Sequence, residues 1–417
     1  MNKRTFLKTL TALGFSSSSI IGTSEAKSSA ELDFNSTDSW DQIRAGYKLK
    51  PDYINLENGY YCFLPEETLE KYLEDIRRVN YQGSYYMRTV QWENKEKSAH
   101  ALAKLVGAKP EEIAITRNTT ESLDLIISGF PWKKGDQAIM ANQDYGSMLT
   151  MFELISRRHG VKQVRIDIPL HPENDQEIVS VYENAITEKT KLLMVPHVVN
   201  ITGQILPVGK ISDMAHRHGV EVMVDGAHAV GHFQFSISDL NCDYYGSSLH
   251  KWLSVPLGAG LLFVKEGKAD QIKPLLAPYE LDKKGIYNLN HTGTHPVATD
   301  LAVMHALDFH EKIGGKRKED RLRFLQKYWS DQLRDLPGIV LNTPKDPSRS
   351  CAIANVGIES SSPADLAQRL VKEYQIFTVA IDGAGVKGCR ITPNLYTHTT
   401  ELDQLVHALK ILSGNKS

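Results

Sequence analysis

Two stretches of this chain set side by side groups that could do chemistry together. The run Val222-Met223-Val224-Asp225-Gly226-Ala227-His228 reads as an apolar strand ending in a carboxylate, with an imidazole just beyond it. Downstream, Ser247-Ser248-Leu249-His250-Lys251-Trp252 places a lysine amine among hydroxyls and a second imidazole. A carboxylate at the C-terminal edge of a sheet lies where α/β proteins bind their ligands. An amine flanked by small anion-binding groups fits pyridoxal phosphate, with Lys251 forming the Schiff base and Asp225 keeping the pyridinium nitrogen protonated. Each residue alone has a plainer reading, Asp225 as a helix N-cap and Lys251 as a surface lysine.

These groups need a scaffold, and from about residue 111 the chain supplies one. Short apolar runs alternate with amphipathic stretches, the rhythm of a mostly parallel sheet. Strands are expected at Ile113–Thr116, Gln137–Ala141, Val161–Ile168, Lys191–His197, Val220–Asp225, Tyr244–Ser247 and Gly260–Lys265, with helices between. From Thr299 two long helical patterns, Leu301–Lys312 and Lys318–Leu333, lead into strands near Ala352–Ile358, Phe377–Ile381 and Arg390–Thr392. The expected division is an N-terminal segment over 27–60, a large domain over 61–298 and a small α/β domain over 299–417. The Ile43–Leu64 stretch is expected to pack on the small domain or the cleft.

Composition removes several classes of function. Hydrophobic residues are 41% and charged residues 24%, so a large core can be buried. A net charge of −2 with no basic stripe gives no footprint for nucleic acid. The four cysteines form no CxxC pair, which argues against a zinc or disulfide framework. His216 and His218 read as a solvated helix end, and no metal site is expected. Gly258-Ala259-Gly260 is no dinucleotide fingerprint, because no helix and phosphate turn follow it. Residues 1–26 differ from the rest: Lys3, Arg4 and Lys8 precede a mildly apolar, Ser-rich stretch and small residues at Ser24-Glu25-Ala26. This resembles a twin-arginine export signal with Lys in place of one Arg, and a basic tail is the plainer alternative. A periplasmic address with no membrane insertion of the mature chain is the expectation, with the cytoplasm as the alternative.

The runs VDGAHAVGHF and DYYGSSLHKWLSVPLGAGLLFV resemble class V aminotransferases, particularly the isopenicillin N epimerase-like and cysteine desulfurase-like branches. The likeness extends from residue 50 to the end and implies the pyridoxal phosphate-dependent transferase fold of type I. By that resemblance Lys251 is the cofactor-linking lysine, Asp225 the pyridinium partner and His228 a neighbour of the phenolic oxygen. Ser248 and His250 match phosphate contacts. Thr119 and Thr120 open a helix after a strand, where backbone N–H groups can meet a phosphate, although a simple Thr cap fits too. Tyr145 matches a ring stacked on the pyridine, with a core tyrosine as the alternative. Asn200 matches a contact to the ring substituents, and Thr294 lies in a segment that reaches the phosphate of a neighbouring subunit, which implies a homodimer with shared sites. Arg390 matches the grip on the substrate α-carboxylate, against an exposed structural arginine. Asn58 and Arg88 are candidates for the substrate pocket, or ordinary packing.

The resemblance implies an amino acid, or a metabolite bearing one, as substrate. It leaves open transamination, epimerisation, elimination and decarboxylation. Persulfide transfer needs a thiol on a loop before the carboxylate grip. The corresponding stretch, Asp382–Gly388, has no cysteine, and strand alternation turns Cys389 away from Arg390. A sulfur-lyase acting on cysteine conjugates without a thiol is one alternative, and a non-catalytic protein that captures a small ligand is another. Lys251, Asp225 and Arg390 together argue against pure capture. An exported member of the group would be similar to the periplasmic enzyme that modifies pyoverdine siderophores.

Overall fold

The computed structural model describes residues 39–280 and 282–415. The expected signal over 1–26 lies outside the described residues. Among the described residues thirteen strands run in chain order: β1 Ile54–Asn55, β2 Ile113–Thr116, β3 Gln137–Ala141, β4 Lys162–Ile166, β5 Thr190–Pro196, β6 Glu221–Asp225, β7 Tyr244–Ser248, β8 Gly260–Val264, β9 Ile339–Leu341, β10 Ala354–Ile358, β11 Ile376–Phe377, β12 Val379–Gly383 and β13 Val386–Ile391. Seven make the central sheet, in the order β2-β8-β7-β6-β5-β3-β4. All run parallel except β8, which is antiparallel to both β2 and β7.

Both faces of this sheet are covered, which is why its strands read as nearly unbroken apolar runs. Alternation still sorts the side chains. Ile139, Leu193, Val195, Val222, Val224 and Tyr245 enter one core, whereas Ala138, Met140, Leu192, Met194, Met223 and Tyr244 enter the other. The parallel strands therefore all deliver their C-terminal residues to one rim, and the loops carrying the candidate residues start there.

The small unit is an antiparallel sheet in the order β12-β13-β10-β9, packed around Leu325, Trp329, Leu366, Leu370 and Leu405. Helix Val297–Ile313 sends Val303, Ala306 and Phe309 into the large core. The next helix, Gly315–Ser330, passes from that core at Leu322 to the small core at Leu325. The N-terminal β1 pairs in parallel with β11, and Glu57 bridges Thr392 just beyond. Four helices before β2, Ser39–Ala45, Glu66–Gln82, Ser84–Thr89 and Gln91–Val106, have no counterpart among the expected elements. Among the described residues no helix is long and apolar enough to cross a membrane.

Candidate active site

Asp225 closes β6 with its side chain buried, and Ala227 N–H donates to Oδ1 at 3.0 Å. No other hydrogen bond to this carboxylate occurs among the described residues. Burial raises its pKa, opposed by that N–H and by the charge of Lys251. The carboxylate is positioned from behind. His197 N–H donates to Asp225 O at 2.8 Å, Gly226 N–H to Gly246 O at 2.8 Å, and Ser247 Oγ to Gly226 O at 2.8 Å. Position 226 must be glycine, because a Cβ there would lie 2.0 Å from Cζ of Tyr245. The Tyr245 ring is held in turn by a 3.0 Å bond from its hydroxyl to His197 Nδ1.

Lys251 follows β7 in a turn closed by Ser254 N–H donating to Lys251 O at 2.9 Å. Ser254 takes φ 57°, a conformation disfavoured for a residue with a Cβ, so the turn is held by its surroundings. The amine lies 3.1 Å from His228 Nε2. Trp252 Nε1, which can only donate, lies 3.3 Å from His228 Nδ1. Nδ1 therefore accepts, and the neutral ring carries its proton on Nε2, facing the lysine. Burial, and then the charges of Lys251 and Arg390, hold His228 well below its ordinary pKa. Burial pushes Lys251 down to about 8, with Asp225 resisting. The neutral amine can accept a hydrogen bond from His228 Nε2–H, so the two groups favour the uncharged state together. Trp252 also stacks on His232 at 3.9 Å, which fixes the donor's plane.

A third group gathers at the start of helix Thr119–Gly129. Asn118 caps it, with Oδ1 accepting from Glu121 N–H at 2.9 Å, so neither threonine is the cap. This leaves Thr119 N–H and Oγ1 on Ser248 Oγ, at 2.9 and 2.7 Å, while Thr120 sits half-buried beside it. Gly260 keeps this turn close, since a Cβ there would lie 2.6 Å from the Asn118 backbone. His250, two residues beyond Ser248, has a buried Nδ1 with no partner among the described residues, and burial and the Lys251 charge lower its pKa to about 4.

Tyr145 precedes helix Gly146–His159 and is 46% exposed, so it is not a core tyrosine. Gln143, two residues earlier, contacts the tip of the β12–β13 hairpin through Ala384 O at 3.4 Å. Arg390 is buried, not an exposed structural arginine. Its Nη1 donates to Asn200 O at 3.1 Å, and its other side pairs with Glu57. Asn58 is fully buried and spends its side chain on Thr392 O at 2.7 Å, Tyr396 Oη at 2.6 Å and Asn55 Nδ2 at 2.7 Å. The packing reading suits that placement. Arg88 is exposed on its short helix, and among the described residues no hydrogen bond or ion pair joins it to the Lys251 cluster. Thr294 is exposed in the segment before Val297.

A profile of the family Aminotransferase class-V matches residues 64–401. The chain belongs to this family. It is similar to isopenicillin N epimerase of Streptomyces clavuligerus, 27% identical over 90% of this chain and 98% of that protein. A probable cysteine desulfurase of Halalkalibacterium halodurans is 27% identical over 72% of this chain and 76% of that protein. In fold it is similar to a cysteine desulfurase of Thermococcus onnurineus NA1, with a TM-score of 0.79 at 23% identity, covering 90% and 98% of the two chains. As a class V aminotransferase family member the chain is a pyridoxal phosphate-dependent enzyme.

The residues present fit that cofactor. A carboxylate with one oxygen unbonded among the described residues, an amine whose pKa is brought down to about 8, and hydroxyls gathered at a helix N-terminus meet its ring nitrogen, aldehyde and phosphate in kind. Sequence reasoning missed Glu57, His197, Trp252 and Gln143. Trp252 alone had a signal, its adjacency to Lys251. The other partners come from distant segments.

Proposed function

We propose that this class V enzyme acts on an amino acid or an amino-acid-bearing metabolite by moving a proton at the carbon that carries the amine, in epimerase- or aminotransferase-like chemistry. The observation that carries this reading is the Lys251–His228 contact, 3.1 Å from the amine to Nε2, which aims the amine while burial brings its pKa down to about 8. Pyridoxal phosphate supplies the electron sink for a carbanion at that carbon when bound. Asp225 would hold its ring nitrogen, Ser248, His250 and the Thr119–Thr120 turn its phosphate, and Asn200 and Tyr145 the ring. Lys251 is the residue placed to take a proton and return it, and a pKa of about 8 suits both directions near neutral pH. His228 Nε2 orients that amine. Thr294, exposed ahead of the Val297 helix, would complete the site of a partner subunit in a homodimer.

Thiol chemistry has little support. Cys389 lies in the small-domain core with its pKa raised to about 11, and Cys351 is buried at about 12. The stretch before Arg390 is a tight hairpin whose turn residues, Ala384 and Gly385, both take positive φ. The test is to incubate the enzyme in D2O with amino acids and amino-acid-bearing metabolites. Deuterium at the α-carbon, inverted configuration and keto acid are followed alongside sulfide. Exchange that survives Cys389→Ala is expected. Sulfide released together with pyruvate from cysteine conjugates would favour the thiol-free lyase, and binding without exchange across the panel would favour ligand capture.

A further inference from the structure

Arg390 is the expected dock for a free α-carboxylate, yet its guanidinium is already engaged. Nε donates to Glu57 Oε2 at 3.3 Å, Nη2 pairs with Glu57 Oε1, and Nη1 donates to Asn200 O at 3.1 Å. The two side chains are 9% and 7% exposed. Gly59 packs against the guanidinium so closely that a Cβ would lie 2.8 Å from Cζ. Glu57 cannot withdraw with its backbone. Leu56 N–H donates to Phe377 O at 3.0 Å, Thr392 N–H to Leu56 O at 2.8 Å, and Asn58 N–H to Thr392 Oγ1 at 2.6 Å.

Charge and entropy then act in one direction. An incoming carboxylate meets a neutral pair rather than a lone cation, so it gains little attraction. To take the same two-pronged seat it must expel a carboxylate already tethered there, and it alone loses translational freedom in doing so. Expelling Glu57 would also leave a buried carboxylate without its partner.

We infer that Glu57 is the specificity-determining residue of this site. By neutralising Arg390 in place it selects against free α-carboxylates. The site takes an amine whose carboxyl is tied up in an amide, as in an amino-acid unit of a larger metabolite. This rests on the proposed function, because it presumes that the amine is the group delivered to Lys251.

The test compares L-alanine with L-alaninamide, which share an amine and differ in the carboxylate. Their binding to the holoenzyme is read from the cofactor's absorbance. In Glu57→Gln the preference for alanine over alaninamide should rise at least roughly tenfold over wild type. An unchanged preference, or weaker alanine binding, would show that Glu57 merely orients Arg390 and would overturn the inference. If Glu57→Gln fails to fold, Glu57→Asp keeps the charge but shortens its reach, and should move the preference in the same direction by less. A second measurement does not depend on Lys251 chemistry: propionate should raise the melting temperature of the cofactor-free variant and not of wild type. No absorbance response to either amine would count against the proposed function, and the propionate result would still decide the role of Glu57. Propionate stabilising wild type as much as the variant would overturn that role.

Discussion

Replacing Trp252 by Phe isolates one contact that biases the charge of Lys251, on top of the burial that lowers its pKa. The ring and its 3.9 Å stack on His232 are kept, and only the indole N–H is lost. That N–H, 3.3 Å from His228 Nδ1, dictates which ring nitrogen carries the proton. Without it the proton can move to Nδ1, and Nε2, 3.1 Å from Lys251, becomes an acceptor that favours the charged ammonium. A hydrogen bond of this length contributes about 0.5–1.5 kcal/mol net. One pKa unit corresponds to about 1.4 kcal/mol, so the Lys251 midpoint should rise from about 8 by up to roughly one unit. In cofactor-free protein, the pH dependence of Lys251 acetylation by limiting acetic anhydride, read by peptide mass spectrometry, measures that midpoint. A midpoint that stays put or falls in Trp252→Phe would refute the tautomer argument.

The same amine makes stability pH-dependent in a stated direction. Its folded pKa of about 8 lies below its ordinary value of 10.5, so between these values the unfolded chain binds more protons and wild-type stability rises with pH. The penalty is fully present below about pH 8 and is on the order of 3 kcal/mol. Cofactor-free Lys251→Met should therefore resist urea better than wild type at pH 7, with the advantage shrinking toward pH 10.5; an advantage that grew with pH would contradict the assignment. Gly226→Ala should lose about 3 kcal/mol or more, because its Cβ would fall 2.0 Å from a Tyr245 ring pinned by His197, and a native-like melting temperature would sink that account. Fusing residues 1–30 to a reporter that must fold before export should deliver it to the periplasm, and retention in the cytoplasm would favour the basic-tail reading.

How far the sequence reveals this molecule depends on how local the cause is. Strands β3 and β6 lie where the apolar runs end, because a strand covered on both faces has little but hydrophobicity to encode. Asp225 and Lys251 were legible for a related reason: a charged residue directly after such a run has to emerge at the sheet rim. The reversed direction of β8 was not legible, since a short loop and a long one can both return a strand beside its predecessor. Nor was the cap at Asn118, where Asn and two threonines compete within three positions and tertiary contact with Ser248 settles which threonine atoms stay free. The roles of the 54–59 segment depend on contacts that no local pattern carries. Glu57 and Arg390 are 333 positions apart in the chain. Alternation on β13 explains why Cys389 turns into the core and Arg390 does not, but it cannot say what fills the arginine's fork. That is decided by β1 docking in parallel on β11, which carries Glu57 to Thr392 and leaves its carboxylate against the guanidinium. The family motif therefore identifies the arginine, whereas the pairing of the N-terminal segment determines how much of its charge remains for a substrate.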